Sequence, residues 1–361
     1  MHDRACQPLP GKTKRGIQGT ERPGEAFAAR GMVMARQNDG TDTREERIRA
    51  LLLGVAVGDA LGVPVEFRPR GSFHVDGMRG HGTHDQPAGT WSDDTSLTLA
   101  LADAVDGDAV SLPRLARNFI AWHDTGAFTP HGVVFDIGNA TARAIGRLKR
   151  GVPPEQAGGT KERDNGNGSL MRVAPLVFLM DGKVPEERFR LIKAVSSVTH
   201  AHAWSVTACF IFLELLRKLL AGTPKEEAYA ELRAELATPP PFLDAGALPK
   251  FRRILEEDIR ALPEAEVRSS GFVVDTLEAA LWSCLTTNTY GDAVLKAVNL
   301  GEDTDTTGAV TGALAAAAYG RESIPEWWVA QLQGRRQIDC MAERMASVLT
   351  LPGADGIKLP L

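Results

Sequence analysis

Two apolar segments with small residues at every fourth position most constrain how this chain can fold. They are residues 47–61 and 305–319, and their regularly spaced glycines are Gly54, Gly58, Gly62, Gly308 and Gly312. Side chains four positions apart lie on the same face of an α-helix. Each segment therefore presents a smooth face that other backbones can approach closely, which favours helices buried within the domain.

Helical patterns continue along most of the chain. They cover residues 47–61, 92–105, 112–123, 136–150, 169–180, 186–198, 203–220, 225–236, 248–261, 272–285, 291–299, 305–319 and 336–349. Strand signals are limited to short apolar runs near Phe73 and Gly271, neither of which alternates. We predict an all-α fold with one domain over residues 46–361.

Residues 1–45 differ from this domain. They are polar and glycine-rich, and they lack apolar periodicity and the apolar centre of a signal peptide. We predict a disordered N-terminal tail, or sequence upstream of a start at Met32 or Met34.

Charge and cysteine content exclude several classes of protein. With 41 basic and 46 acidic residues the net charge is -5, which predicts no nucleic-acid partner. The four cysteines form no CxxC pair, as expected of a reduced, cytoplasmic protein. The longest apolar stretch, residues 51–65, is interrupted by Asp59, so we predict no membrane span. We expect a monomer.

An acidic group precedes the small-residue helix. Asp303, Asp305 and Thr306 lie in a turn leading into it, where their oxygens can converge. Carboxylates and a hydroxyl, without histidine or cysteine, suit Mg²⁺, Mn²⁺ or Ca²⁺ rather than Zn²⁺. Alternatively, these aspartates only complement the helix dipole.

A second acidic group begins another apolar helix at Ser92, Asp93 and Asp94. Adjacent aspartates repel each other, and neutral caps would serve the helix equally well. Two such groups far apart in sequence favour a dinuclear metal site built from both. Two independent caps are the alternative.

Two further acids interrupt apolar sequence. Asp59 lies within the glycine-spaced helix, and Glu66 follows Pro64. A charged residue in such a position is expected to be paired or functional. Burial of Asp59 against helix ends is the alternative.

Three weaker signals remain open. Gly166, Gly168 and Ser169 precede a helical pattern, where free N–H groups bind phosphate, although a plain turn is equally compatible. Asp136 and Asn139 are three residues apart, as a cap or a ligand pair. His200 precedes an apolar helix and could be a structural hydrogen-bonding residue.

Taken in order, these stretches resemble the ADP-ribosylglycohydrolase family from about residue 48 to residue 345. The segments that carry the resemblance are "GVAVGDALGVPVEF", "GTWSDDTSLTLALADAV", "GNGSLMRVAPL", "VTHAHAWS" and "GEDTDTTGAVTGALAAAAYG". This chain departs from the family pattern at Glu302, where the family commonly has glycine.

The resemblance implies a compact multi-helix orthogonal bundle with a central cleft holding two divalent cations, Mg²⁺ or Mn²⁺. The implied metal ligands are Ser92, Asp93, Asp94, Asp303, Asp305 and Thr306. The implied catalytic carboxylates are Glu66 and Asp136. The implied substrate-binding residues are Asn139, Gly166, Asn167, Gly168, Ser169 and His200.

The implied reaction is hydrolysis of the bond between ribose C1″ and a modified side chain. The partner is then an ADP-ribosylated protein or a small ADP-ribose conjugate. The match at Asp136 and Asn139 to the nitrogenase-regulating branch favours an arginine linkage. Serine-linked or O-acetyl-ADP-ribose, and a non-catalytic ADP-ribose binder or structural relative, are the alternatives.

Overall fold

The structure is a computed structural model that describes residues 43–349, and within them the fold is all-α, as predicted. Its helices are α1 Arg44–Gly62, α2 Asp93–Asp103, α3 Leu112–Thr125, α4 Asn139–Lys149, α5 Pro185–Ser196, α6 Ala203–Leu220, α7 Lys225–Leu236, α8 Arg252–Leu255, α9 Val273–Leu285, α10 Tyr290–Val298, α11 Thr304–Tyr319, α12 Glu326–Val329 and α13 Arg335–Leu349. Short 3₁₀ turns connect many of them.

Helix α1 begins slightly before the predicted start of the domain. The Thr43 hydroxyl accepts a hydrogen bond from the Glu46 N–H, and the Glu46 carboxylate accepts one from the Thr43 N–H. This capping box fixes the start of the helix at Arg44. The remainder of the predicted tail, residues 1–42, lies outside the described residues, as do residues 350–361.

Helices α1 and α11 form the centre of the bundle. A Cβ atom added to Gly58 would lie 2.1 Å from the Gly308 carbonyl oxygen, and one added to Gly312 would lie 2.1 Å from that of Gly54. The two backbones are therefore in direct contact. The small residues predicted to permit close approach face each other.

Some predicted elements differ from the structure. The pattern at 169–180 forms two 3₁₀ helices, Leu170–Arg172 and Ala174–Leu179, because Pro175 lacks the N–H that a continuous helix needs. The pattern at 248–261 is likewise interrupted, since the Asp258 carboxylate starts a new turn by accepting from the Arg260 N–H.

Helix α4 begins at Asn139, because Gly138 is extended, and it leaves Asp136 outside. The two strands, Val105–Asp106 and Ala109–Val110, form a hairpin and lie at neither apolar run considered in the sequence.

The sequence predicted no membrane span, but by length and composition one of the described helices could cross a membrane. Arg44–Val65 is long and apolar enough to cross a bilayer, and an 18-residue window within it has a mean hydropathy of 1.7. However, 94% of this window is buried inside the protein, as in the core helix of a bundle.

Candidate metal centre

The two acidic helix starts meet in the structure. Thr306 at the start of α11 lies with its hydroxyl 3.4 Å from Asp94 Oδ2 at the start of α2, although they are 212 residues apart. One carboxylate oxygen from each of Asp59, Asp94 and Asp305 lies within 4.8 Å of the others. Asp305 also forms such a group with Glu66 and Asp303.

Three oxygens in this cluster have no hydrogen-bond partner among the described residues. They are Asp94 Oδ1, Asp303 Oδ1 and Asp305 Oδ2, and all three atoms are buried. Burial of a carboxylate without compensation is costly. A hard divalent cation satisfies such oxygens, so the donor set fits Mg²⁺, Mn²⁺ or Ca²⁺.

The electrostatics of the cluster lead to the same interpretation. Burial, and then the neighbouring carboxylates Asp59 and Asp303, raise the pKa of Asp94 well above its usual value. Burial, followed by Glu66 and Asp94, does the same to the pKa of Asp305. Without a cation the cluster therefore favours bound protons, and a bound cation would take their place.

Asp59 supports the α2 start from within α1. Its carboxylate accepts hydrogen bonds from the Ser92 N–H at 2.9 Å and from the Thr95 N–H and hydroxyl at 3.0 and 2.6 Å. Burial raises its pKa to about 6. Asp59 is therefore hydrogen-bonded to the start of α2 and also part of the acidic cluster, although it was not among the implied metal ligands.

Ser92 and Asp93 belong to neither of the two groups of closely spaced carboxylates described above. The Ser92 hydroxyl donates to Asp94 Oδ2 at 3.0 Å and also caps α2 by accepting from the Asp94 N–H. Asp93 lines a small cavity together with Asp136 and Trp91. Burial and then the Asp136 carboxylate raise the pKa of Asp93 well above its usual value.

Glu66 lies beside the acidic cluster and contacts a histidine that the sequence did not reveal. Its carboxylate is hydrogen-bonded to His84 Nε2, and both groups lie close to the Asp136 carboxylate. Burial, and to a smaller extent Asp136 and Asp303, raise the pKa of Glu66, while the hydrogen bond to His84 lowers it, and the net value is about 7. The bond to Glu66 raises the pKa of His84.

The loop of residues 166–169 also reaches the cluster. Asn167 Nδ2 donates to Asp303 Oδ2 and to the Thr276 hydroxyl, both at 2.9 Å. Asn167 thus contacts a candidate metal ligand directly. The sequence signal was only the spacing of the glycines around it.

The remaining predicted substrate-binding residues differ in how deeply they are buried. Ser169 and His200 are buried, and a Cβ on Gly168 would lie 2.9 Å from the His200 ring. Burial lowers the pKa of His200 to about 3, and its Nδ1 is hydrogen-bonded to the Thr199 hydroxyl. His200 is therefore a neutral residue packed against the glycine loop. Gly166 is half-buried, and Asn139 is exposed at the start of α4.

Glu302 lies at a backbone position that favours glycine. Its φ of 62° is left-handed, and so is that of Phe67, also 62°. The Phe67 N–H donates to the Glu302 carbonyl at 2.6 Å, and the Glu302 N–H donates to the Arg68 carbonyl at 2.9 Å. These bonds join the loop after Glu66 to the loop before Asp303, and the left-handed φ at Glu302 is one that favours glycine.

We expect Glu302→Gly to stabilise the protein by about 0.5–1 kcal/mol, because relief of the left-handed strain outweighs the entropy of a new glycine. Glu302→Ala, which removes the charge but keeps the strain, should not. Glu155→Gly provides a control at an exposed acid with ordinary backbone geometry, and it should destabilise. Urea unfolding measures all three, and equal effects of the two glycine variants would contradict the strain argument.

The comparisons with known proteins show which family this chain belongs to. The model of the ADP-ribosylglycohydrolase family matches residues 40–355. An ADP-ribosylarginine hydrolase Tri1 of Pseudomonas putida is 35% identical over 302 residues, covering 83% of this chain and 78% of the relative. An ADP-ribosyl-[dinitrogen reductase] glycohydrolase of Rhodospirillum rubrum is 29% identical, covering 82% and 95%.

A solved structure titled ADP-ribosylglycohydrolase-related protein complex matches with a TM-score of 0.70 and 33% identity, over 85% of this chain and 99% of that one. The family match therefore covers the acidic cluster and every described helix. By sequence and by fold, the chain belongs to the ADP-ribosylglycohydrolase family.

Proposed function

We propose that this glycosidic hydrolase releases ADP-ribose from modified arginine side chains of a target protein and that it uses two divalent cations, Mg²⁺ or Mn²⁺. The observation that carries the cation requirement is the set of unpartnered buried oxygens on Asp94, Asp303 and Asp305. The arginine linkage is supported by the relative named ADP-ribosylarginine hydrolase, at 35% identity.

The residues proposed to hold the cations come from both acidic helix starts. Asp94, Asp303 and Asp305 provide the unpartnered oxygens, and Thr306 and Ser92 provide hydroxyls beside them. Asp93, which lines a small cavity together with Asp136, is the sixth residue proposed to hold the cations. Bound divalent cations would supply Lewis-acid polarisation and orientation of the ribose hydroxyls.

The chain's own carboxylates are proposed to move the protons. Glu66 and Asp136 lie close to each other beside the acidic cluster, where Glu66 directly follows the 3₁₀ helix Val63–Val65 and Asp136 lies in the segment before α4. One carboxylate can take a proton from the attacking water, and a second can give one to the leaving nitrogen. We assign these roles to the pair, without dividing them between its members.

Residues of the glycine loop are proposed to bind the rest of the substrate. Gly166 and Gly168 allow the diphosphate to approach backbone N–H groups, and Asn139 lies at the start of α4, where orphan N–H groups favour an anion. Ser169 and His200 support this loop from within, since both are buried.

The linkage is tested with purified protein and three substrates: an ADP-ribosyl-arginine protein, an ADP-ribosyl-serine peptide and O-acetyl-ADP-ribose. We expect release of ADP-ribose from the arginine substrate with Mg²⁺ or Mn²⁺, and loss of release in EDTA. Preference for an oxygen-linked substrate would replace the arginine assignment. Binding of ADP-ribose without turnover of any substrate would contradict the enzymatic proposal itself.

A further inference from the structure

Residues 81–86 form a loop that contacts the Glu66 segment at three points, and we call this loop the clasp. A Cβ on Gly82 would lie 1.9 Å from the Pro64 carbonyl oxygen, so the two backbones touch. The Thr83 hydroxyl donates to the Glu66 carbonyl at 2.7 Å. The His84 ring is hydrogen-bonded to the Glu66 carboxylate. The clasp therefore holds both the backbone and the side chain of Glu66.

The clasp has an unusual backbone. His81 and Asp85 are non-glycine residues with φ values of 63° and 50°, and Gly82 has a φ of 74°. The His81 N–H donates to the Gln86 carbonyl at 2.5 Å, which closes the loop, and Gln86 Nε2 donates to the His84 carbonyl at 2.9 Å. Such conformations persist where the surrounding structure over-determines them, and they cluster at functional sites.

The His84 ring contacts two aromatic rings. Its centroid lies 6.0 Å from that of Phe67 and 5.2 Å from that of Phe135. The His84 and Glu66 side chains are only 12% and 5% exposed, so solvent competes little for their hydrogen bond. Within residues 43–349, His84 is the one hydrogen-bonding partner of the Glu66 carboxylate.

We propose that His84 is a positioning residue that orients the Glu66 carboxylate toward the reacting bond. When Glu66 is ionised, Nε2 is the donor in this bond, because a carboxylate only accepts. The bond to Oε2 leaves Oε1 for the proton transfer assigned to Glu66. The inference rests on the proposed function, and it adds a residue that belongs to none of the proposed catalytic, metal-binding or substrate-binding sets.

Two substitutions separate the hydrogen bond from the packing. His84→Phe keeps a ring between Phe67 and Phe135 but removes the donor, and His84→Gln keeps a donor. Loss of a partner that orients a functional group costs about 10- to 100-fold in activity. We expect His84→Phe to lower kcat by that factor, with KM and the dissociation constants for Mn²⁺ and ADP-ribose within about 2-fold of wild type. His84→Gln should restore part of kcat.

His123→Gln, at a half-exposed surface histidine in α3, is the matched control and should leave kcat unchanged. An unchanged kcat in His84→Phe would overturn the proposal. So would a loss of kcat that parallels a weakened Mn²⁺ dissociation constant, because His84 would then act on the metal site.

A double substitution tests whether His84 acts through Glu66. If it does, the variant with Glu66→Gln and His84→Phe should be no slower than Glu66→Gln alone, since the two residues work as a unit. Losses that multiply would contradict the proposal.

Wild type, the two single variants Glu66→Gln and His84→Phe, and the double variant also give a measurement that does not need turnover. Their melting temperatures in EDTA should be non-additive if the side chains are coupled, and additive if they are not. An inactive wild type would therefore refute the proposed function, whereas additive melting shifts would refute the His84 assignment.

Discussion

Asp305→Asn is expected to abolish ADP-ribose release while making the metal-free protein more stable. The carboxylate lies buried among Glu66, Asp94 and Asp303, and these neighbours together with burial raise its pKa well above the usual value. An amide keeps the shape and the Oδ1 acceptor for the Thr306 N–H at 2.9 Å. It removes the free-energy cost of burying this carboxyl group, either charged or with a bound proton, which we expect to add about 1–2 kcal/mol of stability without metal.

The same substitution removes a donor that the proposed cations need. We expect kcat to fall about 10³-fold, comparable to the loss of one preorganised electrostatic group in an active site. Addition of Mn²⁺ at 100 times its dissociation constant should stabilise the wild type by about 2.7 kcal/mol, and the variant far less. Stability without metal and response to metal therefore change in opposite directions.

Urea unfolding in EDTA and in Mn²⁺, together with a turnover assay, measures these effects. Asp108→Asn, at an exposed residue between the two strands, provides the control and should change neither quantity. If Asp305→Asn hydrolyses at the wild-type rate, Asp305 is not a ligand. If it unfolds more easily than wild type in EDTA, the carboxylate is stabilising for a reason other than metal binding.

The sequence predicted the convergence of the two helix starts because each carried more acid than a cap requires. Asp94 and Asp305 came from segments with clear helical periodicity, so their places at the first turns could be read directly. Their contact across 212 residues was inferred from charge, since a shared cation would offset the repulsion within each group, whereas two independent caps were the alternative.

Other parts of the site left no such pattern. His84 contacts Glu66 from a loop in which His81, Gly82 and Asp85 have left-handed conformations, and no periodicity marks that loop. Asp136 was predicted at the start of a helix, but the extended Gly138 leaves it in the segment that reaches Glu66. Asp59 was noticed as a charge in an apolar helix, yet its bonds to the start of α2 depend on tertiary contact.

Glycine spacing was the sequence feature with the most direct structural consequence. It predicted smooth helical faces but could not identify which helices would meet. The structure pairs α1 with α11, so that Asp59 and Asp305 are carried by backbones in contact. The positions of two acids in the cluster thus depend on residues without side chains.

We therefore expect Gly58→Ala to destabilise the protein and to disrupt the metal centre together. The new Cβ would lie 2.1 Å from the Gly308 carbonyl oxygen and 2.5 Å from its carbon, and backbone atoms cannot turn away as a flexible side chain can. The helices must separate, at a cost of about 1–3 kcal/mol or more. This exceeds the roughly 1 kcal/mol that alanine gains over glycine in a helix.

Two controls distinguish displacement of the site from general loss of stability. Gly146→Ala in α4 meets nothing closer than Arg150 Nη1 at 3.7 Å, so it should stabilise by about 1 kcal/mol. Leu232→Ala, buried in α7, should cost about 2–5 kcal/mol through a cavity but leave the Mn²⁺ dissociation constant and kcat near wild type.

Gly58→Ala should weaken Mn²⁺ binding and lower kcat under conditions where it remains folded, because Asp59 adjoins the new methyl group. A Gly58→Ala protein as stable as wild type would contradict direct contact between α1 and α11. One that is destabilised but binds Mn²⁺ normally would separate the helix contact from the metal centre.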